Sequence, residues 1–393
     1  MSSEYGSLLV VDDNEMNRDM LSRRLQRKGY TVTLAEDGAG ALELIAAERF
    51  DLVLLDVMMP GIDGLTVLER VRQVHSVADL PIIMTTAKDR SEDVVRALEI
   101  GANDYVTKPL DFPVVLARVR THLSLKRANT ALEMAHARMK RDLEAAAKIQ
   151  QALIPTSPPA VDGVSFSWVF EPCDELAGDI LDVFHLDEKL VGLYLLDVSG
   201  HGVPSALLSV TLSRLLSHMA DESLLKKGRD STTRSIFAPP AEVALELNRR
   251  FPMDEATRQY FTFLYGILNL ESHEFRYVSA GHPGPVHLGR EGEPVFFDSS
   301  GFPVGWFPNL TYDETSITLE RGDRLYFYSD GVIEAKNSRE ELFGKQGLVN
   351  ALDRGRAVPL EDSLRSLMLR VREWCGDCGP DDDISLLALE IAY

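Results

Sequence analysis

The sequence predicts an α/β chain in three parts: a doubly wound five-stranded parallel sheet, a long helix with a coiled-coil seam, and an α+β sandwich. Three patterns point there. Short apolar runs alternate with amphipathic stretches through residues 6–120, a stretch without Gly or Pro covers 114–154, and later strand-like runs are not regularly followed by helices. The expected parts are 1–122, 123–155 and 156–393.

In the first part, apolar runs at 8–11, 31–35, 52–55, 82–85 and 105–107 predict five strands. Periodic segments such as 16–28 and 39–48 predict the helices between them. This βαβ rhythm gives a sheet whose ligands bind at the C-terminal strand ends.

From Phe112 onward Ala, Lys, Arg, Glu and Leu dominate. Leu125, Leu132, Met139, Ala146 and Leu153 recur every seven residues; Ala128, Ala135 and Ile149 fill intermediate positions, and Asp142 is the one polar break. The pattern predicts a helix of roughly 40 residues, about 60 Å long, with one apolar stripe. Such a stripe needs a partner, and a homodimer is expected; packing on the chain's own domains is the plainer reading.

The segment TSPPAVDG (156–163) breaks that helix. Strands are expected at 191–197, 261–270, 275–279 and 324–329, helices at 205–218 and 360–374, and an irregular polar loop at 221–240.

Composition narrows the function. The 393 residues carry a net charge of −20, which argues against a nucleic-acid surface. No apolar run approaches the roughly 20 residues of a membrane span, and the N-terminus lacks the pattern of a signal peptide. Three cysteines, an odd number, fit a reducing compartment. A soluble cytoplasmic protein is expected.

Two sets of acidic residues carry the chemistry. In the first part Asp12 and Asp13 follow the first strand and Asp56 ends the third. Three carboxylates at one sheet edge repel one another unless a cation such as Mg²⁺ lies between them. One can then act as nucleophile toward a phosphoryl group, with Thr86 and Lys108 at the ends of the fourth and fifth strands to hold its oxygens. VVDD, LLDVMMPGIDG, MTTA and GANDYVTKP together resemble the response-regulator receiver domain over its whole length. The resemblance implies that Asp56 is the phospho-acceptor, Asp12 and Asp13 are Mg²⁺ ligands, Thr86 and Tyr105 are the switch residues, and Lys108 pairs with the phosphate. It also implies a sensor histidine kinase as donor.

In the third part Asp179 (ELAGDILD), Asp197 (LLDVSGHG), Asp330 (YFYSDGV) and Asp382 (GPDDDISLLAL) each border an apolar run, with Gly nearby. Separated carboxylates of this kind suit a two-metal site that clamps a phosphoryl group and activates water for in-line attack. No G-x-S-x-G competes. AAAKIQQALIP, LLDVSGHGVPSALLS, YVSAGHPGPV, GFPVG and GDRLYFYSDGVIEA resemble the PP2C-type phosphatases, in their bacterial sporulation and stress-response branch. That resemblance implies an α-β-β-α sandwich and a protein-serine/threonine phosphatase with two Mn²⁺ or Mg²⁺ ions. Asp197 would bridge the metals, the Val198 carbonyl, Asp179, Asp330 and Asp382 would complete the site, and Asp182 is an outer candidate. A phosphorylated STAS-type anti-sigma-factor antagonist is the implied substrate. AGDILD departs from the family's usual second Gly and aromatics, but no ligand is lost.

The roles of Asp381 and Asp383 are not separable by sequence. His201 and His282 sit in turns and are expected to stabilise them or to serve a substrate loop rather than bind metal. WCGDCGP (374–380) lacks the context of a redox or zinc motif and reads as a spacer, with a redox effect through Cys375 or Cys378 as a weaker alternative. The rival to an enzyme is a non-catalytic adaptor, switched by phosphorylation, that keeps the phosphatase fold.

Overall fold

In the computed structural model the chain divides into two compact units, Met1–Lys140 and Arg141–Tyr393. The structure describes residues 5–87, 91–220, 223–229, 235–253, 259–299, 301–376 and 379–392.

The first unit runs β1 (Ser7–Val11), α1 (Glu15–Gln26), β2 (Thr31–Ala35), α2 (Gly38–Ala47), β3 (Leu52–Asp56), α3 (Gly64–Arg72), β4 (Ile82–Ala87), α4 (Ser91–Ile100) and β5 (Asp104–Lys108). The strands form a parallel sheet in the order β2-β1-β3-β4-β5. Chain direction across the sheet reverses between β1 and β3, so their C-terminal ends flank a crevice. β1 and β3 are buried on both faces, and apolar side chains from alternate positions feed two cores. Local capping fixes the helix starts: Asn14 accepts from the N–H groups of Met16 and Asn17, and Asp63 accepts from Thr66.

α5 spans Phe112–Gln151, 40 residues. Its first turns set Val115, Val119 and Leu123 into one core of the sheet. Leu125, Leu132 and Met139, on the expected seam, are exposed.

The second unit continues with β6 (Val164–Glu171), β7 (Ile180–His185), β8 (Leu190–Val198), α6 (Val203–Leu215), β9 (Lys226–Arg229), β10 (Ser235–Phe237), α7 (Pro240–Arg250), β11 (Phe261–Asn269) and β12 (Glu274–Ala280). It closes with β13 (Val286–Leu288), β14 (Val295–Phe296), β15 (Thr315–Thr318), β16 (Arg324–Tyr328), α8 (Asp330–Glu334), α9 (Gly344–Arg354), α10 (Leu360–Cys375) and β17 (Ile384–Ile391). Two five-stranded antiparallel sheets, β15-β12-β11-β8-β7 and β14-β13-β16-β17-β6, face each other. Leu193, Leu195 and Phe275 of one sheet meet Phe327, Leu387 and Leu389 of the other in the central core. α6 and α7 cover one outer face and α9 and α10 the other. The result is an α-β-β-α sandwich.

One expectation needs correction. The stretch 221–240 holds the antiparallel pair β9 and β10, with Leu225 and Ala238 buried beside it. Its strands, KKGR and SIF, lack an apolar alternation, so only the flanking residues signal the core. Among the described residues no helix is long and apolar enough to cross a membrane.

Candidate functional site

The crevice of the first unit collects the residues expected there. Asp12 follows β1, Asp56 ends β3, and both are buried, whereas Asp13 is exposed. Oxygens of the three lie within 4.8 Å of one another. Lys108, ending β5, reaches in with Nζ 2.6 Å from Asp56 Oδ2 and 2.9 Å from Asp12 Oδ2. Asn17 donates to both oxygens of Asp12, and the Met58 N–H donates to Asp56 Oδ1. Burial pushes the Asp56 carboxyl above its ordinary range, opposed by Lys108. The Thr86 hydroxyl is buried and without a hydrogen-bond partner. Tyr105, on β5, is half-buried, with the Arg118 guanidinium 5.8 Å from its ring centroid. An anionic group beside Asp56 would find the Lys108 ammonium within reach and the unused Thr86 hydroxyl on the neighbouring strand.

Antiparallel pairing assembles the second set. Ile180 pairs with Leu196, so Asp179 just before β7 meets Asp197 near the end of β8. Tyr328 pairs with Leu386, so Asp330 just after β16 meets Asp382 just before β17. All four therefore lie at one end of the sandwich. Two glycines permit the close approach. A Cβ on Gly178 would sit 2.8 Å from the Val198 carbonyl oxygen, and one on Gly331 would sit 2.2 Å from the Asp383 carbonyl oxygen.

Crowding these carboxyls raises their proton affinity. Burial pushes Asp197 up to about 7, and the carboxylates of Asp330, Asp382 and Asp383 add to it. Burial likewise lifts Asp330 to about 6, with Asp382 contributing; Asp382, exposed as a residue, is raised by partial desolvation of its carboxyl and by the charge of Asp383. Asp179 is raised well above its ordinary range, by burial and then by Asp197 and Asp383. Its Oδ2 is buried without a hydrogen-bond partner. A buried, orphaned carboxylate oxygen among like charges is what a divalent cation would satisfy, and the donors are all oxygens, which suits Mg²⁺ or Mn²⁺. Asp179, Asp197, Asp330, Asp382 and the Val198 carbonyl would hold such ions, which supply charge neutralisation and water activation when bound.

Asp182 faces the other way. It lies with Ile180 and Phe184 on the side of β7 that packs under the helices, apart from Asp197, and burial lifts it to about 6. The structure also separates the Asp381–Asp383 run: Asp381 and Asp382 are exposed, whereas Asp383 is buried. Asp383 accepts from the N–H groups of Cys173 (2.8 Å), Gly178 (2.7 Å) and Asp179 (3.4 Å), and its carbonyl accepts from Ser329 Oγ (3.2 Å). It ties together the loops that bear Asp179 and Asp330.

Sequence reasoning also missed Gln150 and Cys173. Gln150 ends α5 as a 4% exposed side chain bonded to Ala177, a place that a helical pattern marks only as polar. The Cys173 sulfur lies within 4.8 Å of carboxylate oxygens of Asp382 and Asp383, and burial with the adjacent Asp383 pushes its thiol up to about 12. Neither histidine joins a metal-capable cluster among the described residues. His282 is buried with Nδ1 2.8 Å from Thr262 Oγ1, and His201 is exposed 3.0 Å from Asp174. Cys375 is buried in the core beneath α10, and Cys378 lies outside the described residues.

Comparison with known proteins matches this geometry. The response regulator receiver domain family matches residues 8–120, and the Stage II sporulation protein E (SpoIIE) family matches residues 187–392, more than half of the chain. This chain belongs to the SpoIIE family. Its N-terminal unit is a receiver domain. The SiaA-PP2C domain of Pseudomonas aeruginosa aligns with a TM-score of 0.55 at 18% identity, covering 65% of this chain and 98% of that one. The second unit of this SpoIIE-family chain thus has a PP2C-type phosphatase fold. Among curated relatives, the Bacillus subtilis (strain 168) uncharacterized transcriptional regulatory protein YkoG is 45% identical over 120 residues, 30% of this chain and 52% of that protein. Response regulator MprA of Mycobacterium ulcerans (strain Agy99) is 47% identical over 116 residues, 30% of this chain and 49% of that protein. The chain spans about half the length of these relatives, through its receiver unit.

Proposed function

We propose that the protein is a cytoplasmic response regulator in which phosphorylation of Asp56 by a sensor histidine kinase controls a metal-dependent protein-serine/threonine phosphatase. Its parts are the receiver (1–122), a helical linker (123–155) and the phosphatase (156–393). The observation that carries the reading is the meeting of Asp179, Asp197, Asp330 and Asp382 at one end of the sandwich, with Asp179 Oδ2 buried and unsatisfied. Asp179, Asp197, Asp330, Asp382 and the Val198 carbonyl would hold Mn²⁺ or Mg²⁺, with Asp197 placed between the other carboxylates.

In the receiver, Asp12, Asp13 and Asp56 would hold Mg²⁺, and an Asp56 carboxylate oxygen bonds to the phosphorus of the kinase's phosphohistidine as its P–N bond breaks and the imidazole leaves. Lys108 then pairs with the new charge, and Thr86 and Tyr105 move toward it. The exposed seam of Leu125, Leu132 and Met139 joins two copies of the chain through α5. Membership of the SpoIIE family supports a phosphorylated STAS-type anti-sigma-factor antagonist as substrate, in a partner-switching pathway.

The test is hydrolysis of a phosphorylated STAS protein by the full chain with Mn²⁺. Release of phosphate that is lost in Asp330→Asn supports the enzyme. Metal-independent binding of the STAS protein without turnover would indicate the adaptor instead.

A further inference from the structure

Next to the carboxylate site the second unit exposes a cluster of large aromatic side chains. Phe302 is 54% exposed, Trp306 41% and Phe307 51%, and their ring centroids lie 5.5–6.4 Å apart. Three neighbouring rings in water form a costly patch for a soluble surface, of the kind that marks an interaction site. The loop that carries them is rigidly held. Val304 is fully buried and exchanges both backbone hydrogen bonds with Phe261. Buried Asn248 accepts from the Gly305 N–H at 2.8 Å and donates to the Phe307 carbonyl at 3.0 Å. The rings are therefore presented outward from a fixed frame, which lowers the entropy cost of docking.

The shelf connects to the site through one residue. Tyr260 stacks on Trp306, with centroids 5.3 Å apart and an interplanar angle of 28°. The same Tyr260 accepts from the Ser199 N–H and donates its own N–H to Ser199 Oγ, both at 3.0 Å. Ser199 follows Asp197 and Val198 directly. On the other side of Phe307 a groove of about 1110 Å³ opens, lined by Lys226, Lys227, Arg249 and Arg250 against the carboxylates of Glu242 and Glu246. Lys227 is paired with Glu242, and Arg249 and Arg250 share Glu246, so four cations face two carboxylates and the groove keeps a net positive charge in a chain whose net charge is −20.

We propose that Phe302, Trp306 and Phe307, with the groove beside them, form the docking surface for the phosphorylated protein substrate, taking a segment that pairs a bulky apolar side chain with acidic residues. The assignment rests on the phosphatase reading and adds to it the chemistry that selects the substrate. The apolar side chain packs on the rings, the acidic residues meet the cations of the groove, and the turn at Ser199 sets the phosphorylated residue beside Asp197. A phosphoryl group alone recruits little specificity in an open carboxylate site, whereas aromatic anchors at its edge supply affinity that a small phosphate ester cannot use.

The probe is a fluorescein-labelled peptide with a non-hydrolysable phosphonate analogue of phosphoserine. Four versions are flanked by alanines, by a Phe, by two Glu, or by both, and each is titrated into the full chain with Mn²⁺. The combined peptide is expected to bind about tenfold tighter than the alanine peptide, a step of about 1.4 kcal/mol. The double variant Phe302→Ser/Phe307→Ser, at exposed positions, should erase the gain from Phe. Arg249→Glu/Arg250→Glu should erase the gain from Glu. Equal affinities for the four peptides, or gains that survive both variants, would overturn the proposal. So would sedimentation showing that Phe302→Ser/Phe307→Ser splits a dimer, because the shelf would then hold a second copy. Turnover of p-nitrophenyl phosphate by the unaltered protein reads out the phosphatase function separately: its absence would count against that function while peptide binding still decides the docking.

Discussion

Gln150 grips the backbone of Ala177 from both sides. Its Nε2 donates to the Ala177 carbonyl at 2.6 Å and its Oε1 accepts from the Ala177 N–H at 3.0 Å, while Nε2 also reaches Ser209 Oγ at 3.1 Å. Ala177 stands two residues before Asp179, so the last turn of α5 is bonded directly to the loop that presents a candidate metal ligand. Gln150→Ala leaves a buried N–H and carbonyl unpaired, at a cost of about 2 kcal/mol. By analogy with the loss of residues that orient metal ligands, Mn²⁺ affinity should fall roughly tenfold. Calorimetric titration checks this, and an unchanged affinity would detach α5 from the site.

The close contact at Gly178 gives a second prediction. A methyl group there meets the Val198 carbonyl oxygen at 2.8 Å, in backbone that cannot swing aside like a side chain. Gly178→Ala should therefore weaken Mn²⁺ binding even though no ligand is removed. Gly40→Ala, in helix α2, where a Cβ meets only the Asp37 side chain at 3.4 Å, is the control for metal binding.

In the receiver, Lys108 stands between two buried carboxylates. Lys108→Met leaves Asp12 and Asp56 facing each other without their cation, and removal of one partner from such a group costs about 3 kcal/mol. The receiver's unfolding transition should move to lower temperature, and Mg²⁺ should recover part of the shift. Acetyl-phosphate labelling of Asp56 should also fall, which a phosphate-affinity gel would show.

The carboxylates of the second unit predict an inverted pH response without metal. Asp197 is raised to about 7 and Asp330 to about 6, above an ordinary value of about 4. Between those values the folded state keeps protons that the unfolded chain has already released, so stability falls as pH rises. Melting of chelator-treated protein followed from about pH 5 to pH 8 should show this loss. Asp197→Asn should flatten the slope, and Mn²⁺ should oppose it. A melting temperature that rises across the range would contradict the electrostatics.

Much of this was legible in the sequence because strong local patterns and chemistry coincide. β1 and β3 are almost wholly Val and Leu, Asp12 follows the first and Asp56 ends the second, and β4 opens on Ile82 and Ile83 before it reaches Thr86. The four aspartates of the second unit stand out because each borders such a run. What stayed hidden depends on three-dimensional neighbours. Gln150 occupies an ordinary polar helix position until Ala177 folds against it. Asp382 and Asp383 are indistinguishable in a run of three aspartates, and only the inward turn of β17 buries one and exposes the other. The short strands β9 and β10 were missed because Lys226 and Lys227 mask a pair whose apolar support comes from the flanking Leu225 and Ala238.

The most direct test of the whole account is hydrolysis of p-nitrophenyl phosphate by the full chain with Mn²⁺, with and without beryllofluoride at the receiver, with Asp330→Asn as control. The account predicts metal-dependent turnover that changes with beryllofluoride and disappears in Asp330→Asn. Turnover that is indifferent to beryllofluoride would contradict receiver control, and turnover that survives in Asp330→Asn would contradict the assigned site.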